Sequence, residues 1–159
     1  MTQAEESLFH RKIKSPEQLR EMLGAAPRKQ KVIMCHGTFD LVHPGHIRHL
    51  IYAKSKCAIL VASLTCDAHI EKANNRPFVP QELRAMNLAA LEVVDYVVID
   101  DHAKPLENLR IIQPDYFAKG YEYNDGGIHP RTLEEKEIVE GYGGELLFTP
   151  GDIDRKSVV

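Results

Sequence analysis

The sequence lacks the features that mark several large classes of protein. Lys and Arg together number 20 against 23 for Asp and Glu, so the basic excess typical of duplex-binding proteins is missing. No stretch approaches the roughly 18 consecutive apolar residues that a membrane helix needs. The first residues are polar and contain no apolar core of a signal peptide. We therefore expect a cytoplasmic protein whose partners are neither nucleic acid nor membrane.

Cysteine is scarce, and two motifs built on cysteine or glycine are absent. The three cysteines, Cys35, Cys57 and Cys66, form no Cys-x-x-Cys pair, and their odd number favours reduced thiols in a reducing compartment. No Gly-x-Gly-x-x-Gly follows the first predicted strand, so a redox dinucleotide enzyme has little support. With 159 residues, the chain is long enough for one domain with its own core.

Short apolar runs alternate along the chain with segments of helical periodicity. The apolar runs predict strands at residues 32–35, 58–62, 96–99, 116–118 and 145–148. Helical spacing predicts a helix that begins at Pro44 and others at residues 16–24, 80–91, 106–112 and 131–142. The alternation predicts an α/β fold, a Rossmann-like three-layer α/β/α domain with a parallel sheet of about five strands. A ligand is then expected beyond the carboxyl ends of the strands.

The first predicted strand leads directly into a loop whose composition suits phosphate binding. Residues 36–40 read His-Gly-Thr-Phe-Asp, and residues 43–46 read His-Pro-Gly-His at the start of a helix. Gly37 allows the backbone to approach a phosphate closely, and Gly45 removes a side chain where a ligand must come near. Pro44 is tolerated in a first helical turn. The unpaired N–H groups and the positive end of the helix dipole then favour an anion.

His43 and His46 are three residues apart, so both lie on one face of the first turn of this helix. Two imidazoles there can donate hydrogen bonds to charge that develops on a phosphate, and no protein nucleophile is needed. Two alternatives stay open: a zinc site extended by His49, although helical zinc ligands are more often four residues apart, or plain surface histidines. We expect His49 itself to be a solvated helix residue.

The pattern Gly-Thr-Phe-Asp-Leu-x-His-x-Gly-His at residues 37–46 resembles the signature of the cytidylyltransferase-like nucleotidyltransferases. The similarity runs from about Val32 to Ile153 and is most extended with the adenylyltransferase domain of bifunctional heptose-phosphate kinase/adenylyltransferases. Glycerol-3-phosphate cytidylyltransferases are also similar. Further matching positions are Arg76-Pro77, Glu82, Arg84, residues 88–98, Pro114-Asp115 and Lys119-Gly120.

The composition and the resemblance together predict three parts of the chain. Residues 1–30 are an N-terminal arm, loosely held up to residue 14, followed by a helix that Ser15 and Pro16 begin. Residues 31–153 are the nucleotidyltransferase domain. Residues 154–159 are an atypical or truncated tail, because the family commonly has a Ser/Thr-rich segment here and this chain has only Ser157.

The resemblance also implies roles for individual residues. His43 and His46 would stabilise the pentavalent α-phosphate and the pyrophosphate, and Lys72 would be a third catalytic residue that reaches phosphate. Asp40 would order its loop and help to place a metal ion. The implied nucleotide-binding residues are Gly37, Thr38, Phe39, Asp40, Gly45, Arg84, Lys119 and Gly120. Mg²⁺ would arrive with the NTP, and no protein residue is assigned as its ligand.

Alternative interpretations remain for the residues outside the histidine motif. Lys72 could equally be a solvated cation at a helix end. Arg84 binds the acceptor or triphosphate, or instead pairs with Glu82 or another helix charge. Asp67 is expected to cap the segment at residues 68–72.

The implied reaction joins an NTP to a sugar or alditol phosphate and releases pyrophosphate. ATP with a heptose-phosphate-like acceptor is the first expectation, and CTP with glycerol phosphate is the second. A nucleotide-binding module without turnover is the alternative from another class. The implied partners are the NTP, the phosphorylated sugar or polyol, a second copy of the chain, and a fused or separate sugar kinase.

Overall fold

A computed structural model describes residues 1–70, 76–120 and 129–150 of the chain. Five parallel strands form one sheet in the order β3-β2-β1-β4-β5. The strands are β1 (Val32–Gly37), β2 (Ile59–Thr65), β3 (Tyr96–Asp100), β4 (Tyr116–Lys119) and β5 (Glu145–Phe148). The predicted α/β class and the five-stranded parallel sheet are confirmed, since each continuous apolar run in the sequence became a strand that is covered on both faces.

Helices cover both faces of the sheet and make the predicted three layers. They are α1 (Gln3–Lys12), α2 (Pro16–Leu23), α3 (Pro44–Lys56), α4 (Gln81–Ala89), α5 (Leu106–Ile112) and α6 (Pro130–Gly141), with a 3₁₀ turn at Asp67–His69. Leu50 of α3 and Leu88 of α4 pack in one apolar cluster with Ile33 and Cys35. Leu19, Leu109, Ile112 and Val139, from α2, α5 and α6, pack in a second cluster with Val32 and Met34. Alternate residues of β1 therefore face opposite helical layers.

The start of α2 is as predicted. Ser15 Oγ accepts a hydrogen bond from Gln18 N at 3.1 Å, and Gln18 Oε1 accepts one from Ser15 N at 2.9 Å. This reciprocal pair satisfies two backbone donors that a helix leaves unpaired at its amino end. Gly24, with φ +72°, ends the helix.

The N-terminal segment differs from the expected loose arm. Residues 3–12 form α1, which packs against α4, and Thr2 and Glu5 cap its amino end. Lys12 Nζ donates to the carbonyl oxygens of Leu91 at 3.1 Å and Val94 at 2.7 Å. The prediction was wrong because these anchoring groups lie about eighty residues further along the chain. A polar segment gives no local sign of such partners.

The strand order places a crevice beside β1. The chain passes from β1 to β2 and β3 on one side, and β4 and β5 lie on the other side. The connections that leave the carboxyl ends of β1 and β4 therefore diverge, and such a switch point is where doubly wound sheets bind ligands. Within the described ranges, every helix is too short or too polar to cross a bilayer.

Candidate active site

His43 and His46 cap the helix that begins between them. His43 Nδ1 accepts a hydrogen bond from Gly45 N at 3.0 Å, and His46 Nδ1 accepts one from His43 N at 3.3 Å. The ring centroids are 3.9 Å apart, with 30° between the ring planes. A ring nitrogen that accepts a hydrogen bond carries no proton, so the proton of each neutral imidazole is on Nε2. Both rings thus present an Nε2–H donor at the amino end of α3.

Gly45 makes this arrangement possible. A Cβ added at Gly45 would lie 2.8 Å from His43 Cε1 and 3.0 Å from His43 Nδ1. The sequence suggested that Gly45 leaves room for a ligand, but the nearest atoms to the missing side chain belong to the His43 ring. Contact between Gly45 and a nucleotide stays a prediction.

Phe39 packs against the ring of His46. Its side chain is buried, and its ring meets the His46 ring edge-on at 5.5 Å between centroids. The backbone at Phe39 has φ +50°, and a Cβ at Gly37 would lie 3.3 Å from Phe39 Cε2. Gly37 therefore allows the loop to fold back over this ring. Phosphate contacts by the backbone of Gly37, Thr38 and Phe39 stay predictions.

Asp40 joins its own loop to the segment that precedes α4. Its carboxylate is buried and accepts hydrogen bonds from Val79 N at 2.9 Å, Phe78 N at 3.0 Å and Arg76 Nη1 at 3.1 Å. Burial opposes ionisation of Asp40, but these donors outweigh it and hold the pKa of the carboxyl below its ordinary value. Asp40 therefore ties the loop after β1 to residues 76–79; its role toward a metal ion stays a prediction.

Arg84 lies beneath the same loop, with none of its side chain exposed. Nη1 donates to the carbonyl oxygens of Thr38 and Thr65, both at 2.7 Å, and Nε donates to that of Val79 at 2.8 Å. Nη2 donates to Asp67 Oδ1 at 2.6 Å. One guanidinium thus ties the loop after β1 to the end of β2 and to the start of α4. Arg84 has a charge partner, but this partner is Asp67 rather than Glu82; a direct nucleotide contact stays a prediction.

Asp67 caps a different helix from the expected one. Its Oδ2 accepts from Gln81 N at 3.2 Å, at the first residue of α4, and its own N–H donates to Gln81 Oε1 at 2.9 Å. The 3₁₀ turn that starts at Asp67 has no side-chain cap. The expected cap of the following segment was wrong because the true partner is fourteen residues away.

Lys119 ends β4 beside β1 and pairs with a residue that the sequence analysis missed. Its Nζ lies 2.8 Å from Glu135 Oε2 on α6, and both side chains are largely buried. Gly120 follows Lys119 at the edge of the described residues. Lys72 and the tail at residues 154–159 lie outside the described residues, and so does the rest of the predicted domain after residue 150.

Two further histidines lie near the loop. His36 Nδ1 is 2.9 Å from Ser63 Oγ, and burial, together with the charge of Lys119, lowers the pKa of His36 to about 3. His49 is partly buried, with Nδ1 3.4 Å from Thr149 Oγ1. The expectation that His49 is solvated was wrong, because the end of β5 lies against this face of α3.

Comparison with known proteins agrees with this geometry. Residues 34–140 match the family model described as cytidylyltransferase-like. The bifunctional protein HldE of Syntrophotalea carbinolica is 38% identical over 141 residues, which are 87% of this chain and 28% of that protein. HldE of Trichlorobacter lovleyi is 34% identical over 158 residues, which are 95% of this chain and 31% of that protein. The chain therefore spans less than a third of the length of these relatives.

Solved structures support the fold. The lipopolysaccharide core biosynthesis protein of Thermoplasma volcanium aligns with a TM-score of 0.61 at 22% identity, over 75% of this chain and 93% of that one. A pantoate-beta-alanine ligase of Francisella tularensis aligns with a TM-score of 0.59 at 16% identity, over 87% of this chain and 66% of that one. From the family match and the sequence relatives, the chain belongs to the cytidylyltransferase-like family and is a nucleotidyltransferase.

Proposed function

We propose that this chain transfers a nucleotidyl group from an NTP to the phosphate of a sugar or alditol and releases pyrophosphate. ATP is the proposed nucleotide, and a heptose phosphate is the proposed acceptor. The observation that carries the proposal is the pair of Nε2–H donors that His43 and His46 present at the amino end of α3. The extended similarity to HldE supports the choice of nucleotide and acceptor.

The reaction needs charge stabilisation more than covalent catalysis. An oxygen of the acceptor phosphate attacks the α-phosphorus in line, and the bond between the α-phosphorus and the bridging oxygen to the β-phosphate breaks. Negative charge grows on the α-phosphate oxygens and on the departing pyrophosphate. The two imidazole donors and the positive end of the α3 dipole stabilise that charge. Because both Nδ1 atoms accept backbone hydrogen bonds, the rings are oriented before substrate binds.

The proposed supporting residues surround this pair. The backbone of residues 37–39 contacts the nucleotide phosphates, with Arg84 and Asp40 holding the loop in place. Lys72 contacts phosphate, and Lys119 and Gly120 contact the nucleotide from the end of β4.

A magnesium ion that accompanies the NTP fits phosphate oxygens better than it fits Asp40. Both carboxylate oxygens of Asp40 already accept hydrogen bonds from protein donors. Residues 1–70, 76–120 and 129–150 contain no group of three or more His, Cys, Asp or Glu side chains arranged to hold a metal. We therefore propose that Mg²⁺, when bound, neutralises charge on the triphosphate and is held by phosphate oxygens and water.

A second candidate is transfer of a cytidylyl group from CTP to glycerol 3-phosphate, and the cytidylyltransferase-like description of the family model supports CTP as its nucleotide. Pyrophosphate release separates the candidates when ATP, CTP, GTP and UTP are each combined with heptose 1-phosphate, hexose 1-phosphates and glycerol 3-phosphate. Release with ATP and a sugar phosphate supports the first proposal, and release with CTP and glycerol 3-phosphate alone supports the second. Nucleotide binding without release for any acceptor contradicts both proposals and favours a binding module.

Two further proposals concern partners, and the greater length of the HldE relatives supports the first of them. We propose that a sugar kinase, fused or separate, supplies the phosphorylated acceptor, and that the chain forms a homodimer. Light scattering coupled to size-exclusion chromatography tests the dimer directly. A monomeric mass at micromolar concentration would contradict it.

A further inference from the structure

Several buried side chains near the carboxyl edge of the sheet carry polar atoms that have no hydrogen-bond partner among the described residues. The side chains of Asp100, Asn108 and Thr132 are at most 1% exposed. Within the described part of the chain, no partner contacts Asp100 Oδ2, either polar atom of the Asn108 amide, or Thr132 Oγ1. Buried polar atoms are nearly always paired, because an unpaired one retains its cost of leaving water. Four such atoms in one region therefore need an explanation other than stability.

Asn108 faces the sheet from α5. It lies on the same helical face as Leu109 and Ile112, which pack in the apolar cluster with Met34 and Val98. Because α5 connects β3 to the parallel strand β4, it runs back across the sheet from the carboxyl edge. Its first turn, which contains Asn108, therefore lies at the edge where β1 ends.

The neighbouring helix α6 also carries polar residues near its amino end and an apolar residue further along on one face. Thr132, Glu135 and Val139 are spaced to share one face, and Val139 packs in the same apolar cluster as Leu109. The two helices pack against each other, and Lys104 Nζ lies 3.2 Å from the Glu134 carboxylate across their amino ends. The inward faces of both helices are thus apolar over the middle of the sheet and polar at its carboxyl edge.

The strands contribute polar groups to the same face of the sheet. His36 follows Val32 and Met34 in alternation, so it points toward the α5 and α6 layer. His36 lies within hydrogen-bond distance of Ser63 and Thr65, and Thr65 is in register with Asp100. On the other side of β1, Lys119 reaches Glu135 on α6. Polar side chains from four strands and two helices therefore lie at the carboxyl edge of the sheet, level with His36, the residue before Gly37.

We propose that the polar layer, defined as Asp100, Asn108, Thr132 and Glu135, binds the hydroxyl groups of the acceptor and that Asn108 determines acceptor specificity. The inference rests on the proposed function and specifies how its acceptor is recognised. The amide of Asn108 offers two donors and an acceptor, and the Thr132 hydroxyl offers both roles. Each hydroxyl of a polyol also donates and accepts. A polyol in this layer would direct its phosphate toward Gly37 and the two imidazoles.

The proposed polar layer should reject a phosphate ester that has no hydroxyls. A site built to hydrogen-bond a hydroxyl discriminates strongly against the analogue that lacks it, because the site's buried groups then stay unpaired. Glycerol 3-phosphate and propyl phosphate make a suitable pair, since they share a phosphate and a three-carbon chain. We expect the wild-type chain to bind glycerol 3-phosphate about 100-fold more tightly than propyl phosphate.

The test measures the ratio of the affinity for glycerol 3-phosphate to the affinity for propyl phosphate in the wild-type chain and in variants. The method is isothermal titration calorimetry with non-hydrolysable ATP and CTP analogues at saturation. Asn108→Leu and Thr132→Val are close in size to the original residues but have no side-chain polar atoms. Each should lower the ratio about tenfold, while the affinity for the nucleotide analogue stays within about twofold. The control is Asn87→Leu, an asparagine exposed on α4 at the opposite face of the sheet, which should leave the ratio unchanged.

The outcomes distinguish acceptor binding by the polar layer from a purely structural role of these residues. They also distinguish failure of this inference from failure of the proposed function. Loss of discrimination with an unchanged melting temperature supports the inference, since removal of an unpaired buried polar group should not destabilise the fold. A wild-type chain that does not prefer the polyol phosphate overturns it, as do unchanged ratios in both variants or a lower melting temperature in both. If no acceptor gives pyrophosphate but Asn108→Leu abolishes discrimination, only the proposed function fails. If pyrophosphate forms and the variants discriminate normally, only this inference fails.

Discussion

Replacement of Arg84 by methionine tests whether one buried guanidinium holds the loop after β1 in place. The guanidinium donates four hydrogen bonds of 2.6–2.8 Å, three to carbonyl oxygens and one to Asp67. Methionine keeps much of the length of the side chain and removes every donor. The carbonyl oxygens of Thr38, Thr65 and Val79 then lose this partner, and Asp67 loses its counter-ion.

The structure sets the size of the expected effect. Hydrogen bonds from a charged donor contribute about 1.5–3 kcal/mol each, so four bonds set an upper limit near 6–12 kcal/mol. Arg84→Met also abolishes the cost of burying the charge, and the Asp67 carboxylate is 40% exposed and can be hydrated. We therefore expect the free energy of unfolding to fall by about 3 kcal/mol, which lies in the range for a broken buried ion pair.

Urea unfolding followed by circular dichroism measures this loss. The matched control is Arg110→Met, because Arg110 is 55% exposed and pairs with Glu107 on the same turn of α5. An exposed pair of this kind contributes less than about 0.5 kcal/mol. A loss below about 1 kcal/mol for Arg84→Met, or equal losses in the two variants, would refute the positioning role. Arg84→Lys distinguishes this positioning role from direct nucleotide binding. An unchanged free energy of unfolding together with a raised KM for the NTP would indicate direct contact with the nucleotide.

Three more predictions concern the loop and its histidines. His46→Ala should lower turnover about 100-fold or more with the fold intact, as for loss of one charge-stabilising donor; unchanged pyrophosphate release would contradict the assignment. Gly45→Ala should lower kcat while circular dichroism stays native, because the new Cβ would lie 2.8 Å from His43 Cε1 and must displace that ring. His36 has a pKa of about 3 in the folded chain, below its ordinary value, so the unfolded chain takes up the proton first and stability falls as the pH drops below about 6.5. His36→Gln should therefore remove about 2 kcal/mol of the stability lost between pH 7 and pH 4.5, and equal losses in both proteins would contradict this account.

The parts of the fold that could be predicted are those whose signal is local in the chain. The strands are continuous apolar runs, and the start of α2 is a four-residue pattern in which Ser15 and Gln18 cap each other. The motif from Gly37 to His46 is contiguous, so its chemistry could be proposed before its geometry was known. The precise arrangement of the two histidine rings could not, because it depends on the space that Gly45 leaves for His43.

The incorrect predictions share a physical cause. Helical and strand periodicity indicate which face of an element is buried, but not which distant element covers that face. Lys12 is anchored by carbonyl oxygens about eighty residues away, and His49 meets Thr149 across one hundred residues. Asp67 caps α4 because the fold brings Gln81 to it.

The α/β class, the positions of the strands and the histidine motif can be read from the chain alone, since short-range periodicity and contiguous residues encode them. How the ends of separate strands and helices combine depends on long-range packing. It buried Arg84 under three backbone segments, joined Lys119 to Glu135, and gathered Asn108 and Thr132 at the carboxyl edge of the sheet. These groups meet because parallel strands end at one edge, and the chain returns to that edge after every crossover.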